Sequence, residues 1–273
     1  MNFIQMLENI IKKNNSLLCI GLDSDIEKIP NHLLEKGEPL FEFNKELIDK
    51  TFDLVCCYKI NIAYYSATGT KGIQSLIKTI DYIHREYTSI PVILDAKRAD
   101  IGSTSEQYVK EVFDIIGADA ATVNPYLGFD AIEPFLKRGG KGIIILCRTS
   151  NPGASDFQDL KVEQKPLYLK VAEKIAQWHQ QYGNCLMVVG ATWPNELKKI
   201  REIAPEMFFL VPGVGKQGGD LQKTLENGLA KNKSGLIIHS ARAIIYSSNK
   251  QNFAATAREK AKELRNEINK FRV

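Results

Sequence analysis

The residues best suited to chemistry in this chain are Asp95, Lys97 and Asp100, within Pro-Val-Ile-Leu-Asp-Ala-Lys-Arg-Ala-Asp-Ile-Gly-Ser-Thr-Ser at 91–105. Val92 to Leu94 is an apolar run after a proline, which reads as a buried strand. Strand side chains alternate faces, so Asp95 and Lys97 are expected on one side. Asp100 follows three residues later, past the expected strand end. Two carboxylates and one ammonium thus gather at a strand mouth, directly behind apolar residues that would partly desolvate them. Asp95 would favour a charged Lys97, and burial alone would oppose that charge. A lysine held charged between carboxylates is a positioned proton donor. The same spacing also suits an ordinary ion pair that caps a strand.

A second group lies far along the chain. Pro212 to Asp220 holds four glycines between Gly213 and Gly219, with Gln217 among them. Glycines let backbone amides approach an anion closely, and Gln217 adds an amide donor. Arg242, after the next apolar run, offers a fork suited to phosphate oxygens. The alternative for the glycine-rich stretch is a surface turn. Asp23, Lys59 with Asn61, and Thr149 with Ser150 also follow apolar runs. Each has a structural alternative: Asp23 a helix cap, Lys59 a strand-end lysine reaching to solvent.

The elements that must position these residues alternate along the chain. Strands are expected at 17–22, 54–60, from 92, and at 121–124, 142–146, 185–189, 207–211 and 236–239. Helices are expected near 3–13, 41–52, 70–87, 103–116, 129–138, 166–182, 194–203, 220–229 and 252–271, with Ser103 or Thr104 as an N-cap and Gly117 as a stop. The stretch 151–165 reads as a long loop. Such alternation implies right-handed β-α-β units with parallel strands. Eight of them close best as a TIM (β/α)8 barrel of class α/β. The rival is an open doubly wound sheet, which the absence of an early G-x-G-x-x-G disfavours. No linker divides the chain, so residues 1–273 are expected to form a single barrel domain with an N-terminal and a C-terminal helix. In a barrel the polar strand ends share one rim, and phosphate sites recur after strands seven and eight.

Composition bounds the function. The chain has 273 residues, 44% hydrophobic and 25% charged, enough to bury a large core. A net charge of +4 is too mild to argue for nucleic acid but compatible with an anionic small molecule. Residues 1–15 hold no continuous apolar stretch, so no signal peptide is expected, and no run approaches the ~20 residues of a membrane span. Cys19, Cys56, Cys57, Cys147 and Cys185 sit in apolar runs without a C-x-x-C pair, as in reduced cytoplasmic proteins. The four histidines show no metal spacing, and no metal is expected.

The apolar strand running into D-x-K-x-x-D-I, with threonine four residues after the second aspartate, is carried by Asp95, Lys97, Asp100, Ile101 and Thr104. On these residues the chain resembles the orotidine 5'-phosphate decarboxylase family over nearly its whole length. The long 24–40 connection and the K-R-A-D wording resemble the longer, type 2-like form of that family. The resemblance implies cofactor-free decarboxylation of orotidine 5'-phosphate to UMP, the last step of de novo pyrimidine nucleotide synthesis. It implies that Lys97 protonates C6, with Lys59, Asp95, Lys97 and Asp100 as the charged tetrad. Asp100 and Thr104 would reach into a partner's site in a homodimer. Asp23 and Asn61 would contact the ribose, Thr149 and Ser150 the pyrimidine edge, and Gln217, Gly219 and Arg242 the phosphate. The stretches 151–165 and 212–222 would close over the substrate. Three alternatives stay open: a Mg2+-dependent sugar-phosphate decarboxylase, a Schiff-base aldolase using Lys97, and a silent barrel that only binds a phosphorylated ligand.

Overall fold

In this computed structural model the protein is described over residues 1–214 and 220–272. Eight parallel strands close into a barrel: β1 (Leu18–Gly21), β2 (Cys57–Asn61), β3 (Val92–Arg98), β4 (Ala120–Val123), β5 (Gly142–Arg148), β6 (Cys185–Val189), β7 (Phe209–Val211) and β8 (Leu236–Ser240). Each strand pairs with its neighbours in sequence, and β8 closes on β1. The fold is therefore the TIM barrel and not the open sheet. The strands are short and apolar because both faces are covered: Cys185–Val189 is buried throughout.

The helices that matter most here are α1 (Phe3–Asn14), α2 (Pro39–Thr51), α3 (Gly69–Glu86), α4 (Gly102–Lys110), α5 (Phe129–Leu136), α6 (Leu167–Tyr182), α7 (Pro194–Ile203), α8 (Leu221–Gly228) and α9 (Phe253–Asn269). α1 begins with a capping box, in which Asn2 accepts from the Gln5 amide and Gln5 from the Asn2 amide. Prolines open α2 and α7, where the missing N–H is no loss. α1 packs at the start of β5: the Phe3 amide donates to the Gly140 carbonyl at 2.8 Å, and the ring is buried. A side chain at Gly142 would overlap that ring, so a glycine stands there. α9 returns to α2, where Phe253 stacks on Phe43 at 5.0 Å and Arg258 forks onto Asp53.

Several boundaries depart from the sequence expectation for visible reasons. Strand two starts at Cys57 because 52–54 form a 3-10 turn whose carbonyls are taken by side chains: Asn14 donates to Phe52, Ser16 to Leu54. Strand seven starts at Phe209 because the Met207 carbonyl accepts from the buried Arg201 at 2.6 Å. α4 is capped at Ile101 without a side-chain bond, so Ser103 and Thr104 lie inside its first turn and cap nothing. The helix then widens into a π-turn at Glu111–Ile115 before Gly117 stops it at φ +81°. The 151–165 stretch is not a plain loop. It holds a 3-10 turn at Pro152–Ala154, a one-turn helix at Ser155–Gln158 and a hairpin pairing Lys161–Val162 with Lys165–Pro166. The hairpin turns through Glu163 and Gln164, both at positive φ, without the usual Asn-Gly signal.

Phe3 is buried against the start of β5, so Phe3→Ala removes a fully packed ring. It should cost about 3–5 kcal/mol in chemical denaturation. A loss under about 1 kcal/mol would show that α1 is only loosely docked.

Candidate active site

The site grows from the C-terminal ends of β1, β2 and β3. Asn61 and Asp95 are register partners, as are Gly21 and Lys59, so three strand ends stand side by side. Lys59 is almost fully buried. Its Nζ lies 3.0 Å from Asp95 Oδ2 and 3.5 Å from Asp23 Oδ1. The other oxygen of Asp95 takes Lys97 Nζ at 2.6 Å. The charges therefore form a row, Asp23–Lys59–Asp95–Lys97, alternating in sign. Burial opposes the charge on Lys59, but Asp95 and Asp23 outweigh it and hold the ammonium above its ordinary pKa. Burial likewise opposes ionised Asp95, and Lys59 and Lys97 outweigh it, keeping the carboxyl well below the usual range. The two lysines differ in access: side-chain exposure is 4% for Lys59 and 49% for Lys97. Lys97 is the one whose ammonium a ligand in the cavity can reach.

The row faces a cavity of about 240 Å³. Asn61, Thr149, Ser150 and Asn151 add polar edges, and Leu146, Val188, Leu210 and Pro212 form an apolar wall. A smaller recess of about 130 Å³ adjoins it, sharing Asp23, Ser150, Pro212 and His239, and Arg242 lines this recess but not the main cavity. Arg242 opens a short helix, Arg242–Ile245, is exposed, and has no ion pair among the described residues. The geometry suits a ligand with a reacting end at Lys97 and an anionic end at Arg242.

Thr149 and Ser150 are held rigidly. Arg148, buried and stacked 4.3 Å over Trp193, donates to Gln158 and Asp159. Gln158 accepts from the Thr149 amide at 2.9 Å and donates to its hydroxyl at 2.8 Å. Gly190 lies against the Ser150 backbone so closely that a Cβ there would sit 2.7 Å from Ser150 Cα. The 151–166 excursion is thereby tied to the cavity edge.

Of the residues singled out from sequence, Asp23, Lys59, Asn61, Asp95, Lys97, Thr149 and Ser150 share the main cavity and Arg242 the adjoining recess. Asp100 and Thr104 do not line either. Asp100 accepts from the Ile101 amide at 2.8 Å, and Thr104 is exposed on α4. Within this one chain the second carboxylate of the row is Asp23, and Asp100 lies off it. Gln217 and Gly219 lie outside the described residues. Lys97 meets Asp95, but not by simple alternation: the β3–β4 register shifts between Leu94 and Arg98, and Lys97 has φ +48°. Sequence reasoning missed Thr122, Asn151 and His239. His239 ends an apolar strand, a signal that was available. Burial, with Lys59 next, pushes its imidazole well below its ordinary pKa, so it is neutral. Gly21 has no side chain because one would collide with that ring. No group of three or more His, Cys, Asp or Glu among the described residues is placed to hold a metal, and no helix there is long and apolar enough to cross a membrane.

A family model described as orotidine 5'-phosphate decarboxylase / HUMPS matches residues 16–257. The chain belongs to this family. The matched span runs from the strand before Asp23 to beyond Arg242, so it contains every cavity residue named above. Among its relatives is the orotidine 5'-phosphate decarboxylase of Cellvibrio japonicus (strain Ueda107), 52% identical over 98% of both chains. Among solved structures, Leishmania donovani OMP decarboxylase superposes with a TM-score of 0.87 at 36% identity, covering 100% of this chain and 99% of that one. Leishmania donovani UMP synthase gives a TM-score of 0.89 at 37% identity, covering all of this chain and 57% of the synthase. The barrel common to these relatives is the frame that brings the charged row and Arg242 to one rim.

The row makes a stability prediction. Asp95→Asn leaves Lys59 buried with only the longer Asp23 contact, which should cost about 3 kcal/mol at neutral pH. Asp95 contributes fully above about pH 4, and that contribution is lost as pH falls through its lowered folded value. Lys59 contributes fully below about pH 10, losing this only as pH rises through its raised folded value. The gap between wild type and Asp95→Asn in urea denaturation should be flat from about pH 5 to 9 and shrink in acid. A gap that grows in acid would contradict the buried pairing.

Proposed function

We propose that this chain decarboxylates orotidine 5'-phosphate to UMP, the last step of de novo pyrimidine nucleotide synthesis, with Lys97 protonating C6. Family membership supports the reaction. The observation that carries the assignment of residues is the alternating row ending in the accessible Lys97, in a cavity that adjoins the recess lined by Arg242.

Loss of CO2 leaves the electron pair of the broken bond on C6. A site speeds this step only if it stabilises that developing charge more than the starting carboxylate. Lys97 supplies a positive charge there and then an N–H proton to C6, and the amine left behind regains its proton from water. Asp95 holds Lys97, and Lys59 holds Asp95. Asp23 and Asn61 bind the ribose hydroxyls, and Thr149 and Ser150 the pyrimidine edge. Arg242 binds the phosphate, together with Gln217 and Gly219. Phosphate binding supplies remote energy for closure of the loops.

The working unit in this reading is a cytoplasmic homodimer of single-domain subunits that needs no cofactor or metal. Asp100 and Thr104 act in the partner's site. Their position off the row of their own chain supports this, as does the exposed apolar surface at Ile101, Tyr126 and Leu127 on the loops after β3 and β4.

Absorbance loss on adding orotidine 5'-phosphate in EDTA is the test. Wild type should turn over, and Lys97→Ala should lose at least about 10²-fold in kcat. No turnover by folded wild type, or turnover only with Mg2+, would overturn the proposal. Arg242→Ala should lower kcat/KM about 10–100-fold, the worth of charged hydrogen bonds. The shared site has its own test. Lys97→Ala and Asp100→Ala should each be inactive alone. Mixed and reassociated, they should regain about a quarter of wild-type activity, because each heterodimer rebuilds one intact site. No recovery on mixing would place Asp100 outside the partner's site.

A further inference from the structure

We propose that the Thr122 hydroxyl is a positioning group that latches both ends of Lys97 to Asp95. This inference rests on the decarboxylase reading for its kinetic consequence. Thr122 lies on β4, is 1% exposed, and borders the main cavity. Its Oγ1 accepts the Lys97 backbone N–H at 2.9 Å and donates to Asp95 Oδ1 at 2.8 Å. The same Asp95 oxygen takes Lys97 Nζ at 2.6 Å. A closed ring results: Lys97 backbone to Thr122, Thr122 to Asp95, and Lys97 ammonium back to Asp95. The N–H can only donate, so the single hydroxyl proton must point to Asp95.

The fold explains why a hydroxyl is needed there. Leu94 pairs with Ala121, and Arg98 pairs with Val123. Three residues of β3, Asp95 to Lys97, therefore stand opposite Thr122 alone. This is a bulge of two extra residues, which puts Lys97 at φ +48°. A bulged N–H loses its ladder partner, and an unpaired buried N–H is unfavourable. The Thr122 side chain supplies the missing acceptor and passes the constraint on to the carboxylate that holds the ammonium. A side chain of valine shape would fill the space and do neither.

Thr122→Val removes the hydroxyl at nearly constant shape. Should it fail to fold, Thr122→Ala and Thr122→Ser form a second pair, equal in lacking the methyl and different only in the hydroxyl. Decarboxylation kinetics and UMP affinity by calorimetry are read for each. Thr122→Val and Thr122→Ala should lower kcat by about tenfold or more, while KM and the UMP Kd stay within about threefold. Thr122→Ser should keep kcat within about threefold of wild type. Equal kcat for all variants, equal losses in serine and alanine, or a loss confined to KM would each overturn the latch. Amide hydrogen exchange in the ligand-free protein separates this from the reaction itself. The peptide bearing Lys97 should exchange faster in Thr122→Val and Thr122→Ala than in wild type and Thr122→Ser. If wild type turned over no orotidine 5'-phosphate, the decarboxylase reading would fall, and unchanged exchange would still overturn the latch.

Discussion

The ion pair between Lys59 and Asp95 is the interaction on which the rest of the site depends. Both groups sit at strand ends where water is largely excluded, and each would be costly there alone. Paired at 3.0 Å, and flanked by Asp23 on one side and Lys97 on the other, they keep each other charged. Replacing such a pair by apolar groups often leaves a protein as stable or more so, so stability alone does not account for keeping it. Its consequence is a fixed negative charge that holds one ammonium at the cavity edge. The row extends outward from the buried Lys59 to the accessible Lys97.

The barrel supplies that arrangement with little adjustment. Parallel strands in register bring Asp23, Lys59, Asn61 and Asp95 to one rim. One irregularity is added: β3 bulges opposite Thr122, so that Lys97 reaches back to Asp95. The opposite side of the rim is built differently. Arg148, stacked on Trp193, holds the Gln158–Asp159 turn, and Gln158 in turn holds Thr149 by its backbone and hydroxyl together. One side is thus fixed by the row of ion pairs, and the other by an arginine that is stacked, ion-paired and hydrogen-bonded. The cavity between them adjoins the recess lined by Arg242.

Much of this was legible in the sequence, because apolar runs and polar strand ends are local signals. Cys185–Val189 and Pro194–Ile203 stand where the pattern placed them, bounded by Gly190 and Pro194. Asp23, Lys59, Asp95, Lys97 and Arg242 were readable because charge directly after an apolar strand is conspicuous. Thr122 was not, since a threonine within Ala-Ala-Thr-Val looks like strand filling until the register with β3 is known. The contact depends on a bulge, and the bulge depends on pairing between strands. The orientation of Asp100 was hidden for the same reason: beyond the bulge, spacing along β3 no longer says which side chains meet. The hairpin at 161–166 and the seat of Phe3 against Gly142 were hidden because each rests on contacts distant in sequence or on an unsignalled turn.

The most direct measurement is a crystal structure of the protein with UMP bound. The expected result places the phosphate against the Arg242 guanidinium, the ribose hydroxyls at Asp23 and Asn61, and pyrimidine C6 about 3–3.5 Å from Lys97 Nζ, a near-attack separation. A phosphate seated on Lys59 or Lys97, or a nucleotide bound with C6 turned away from Lys97, would contradict the assignment of the charged row as the reacting end.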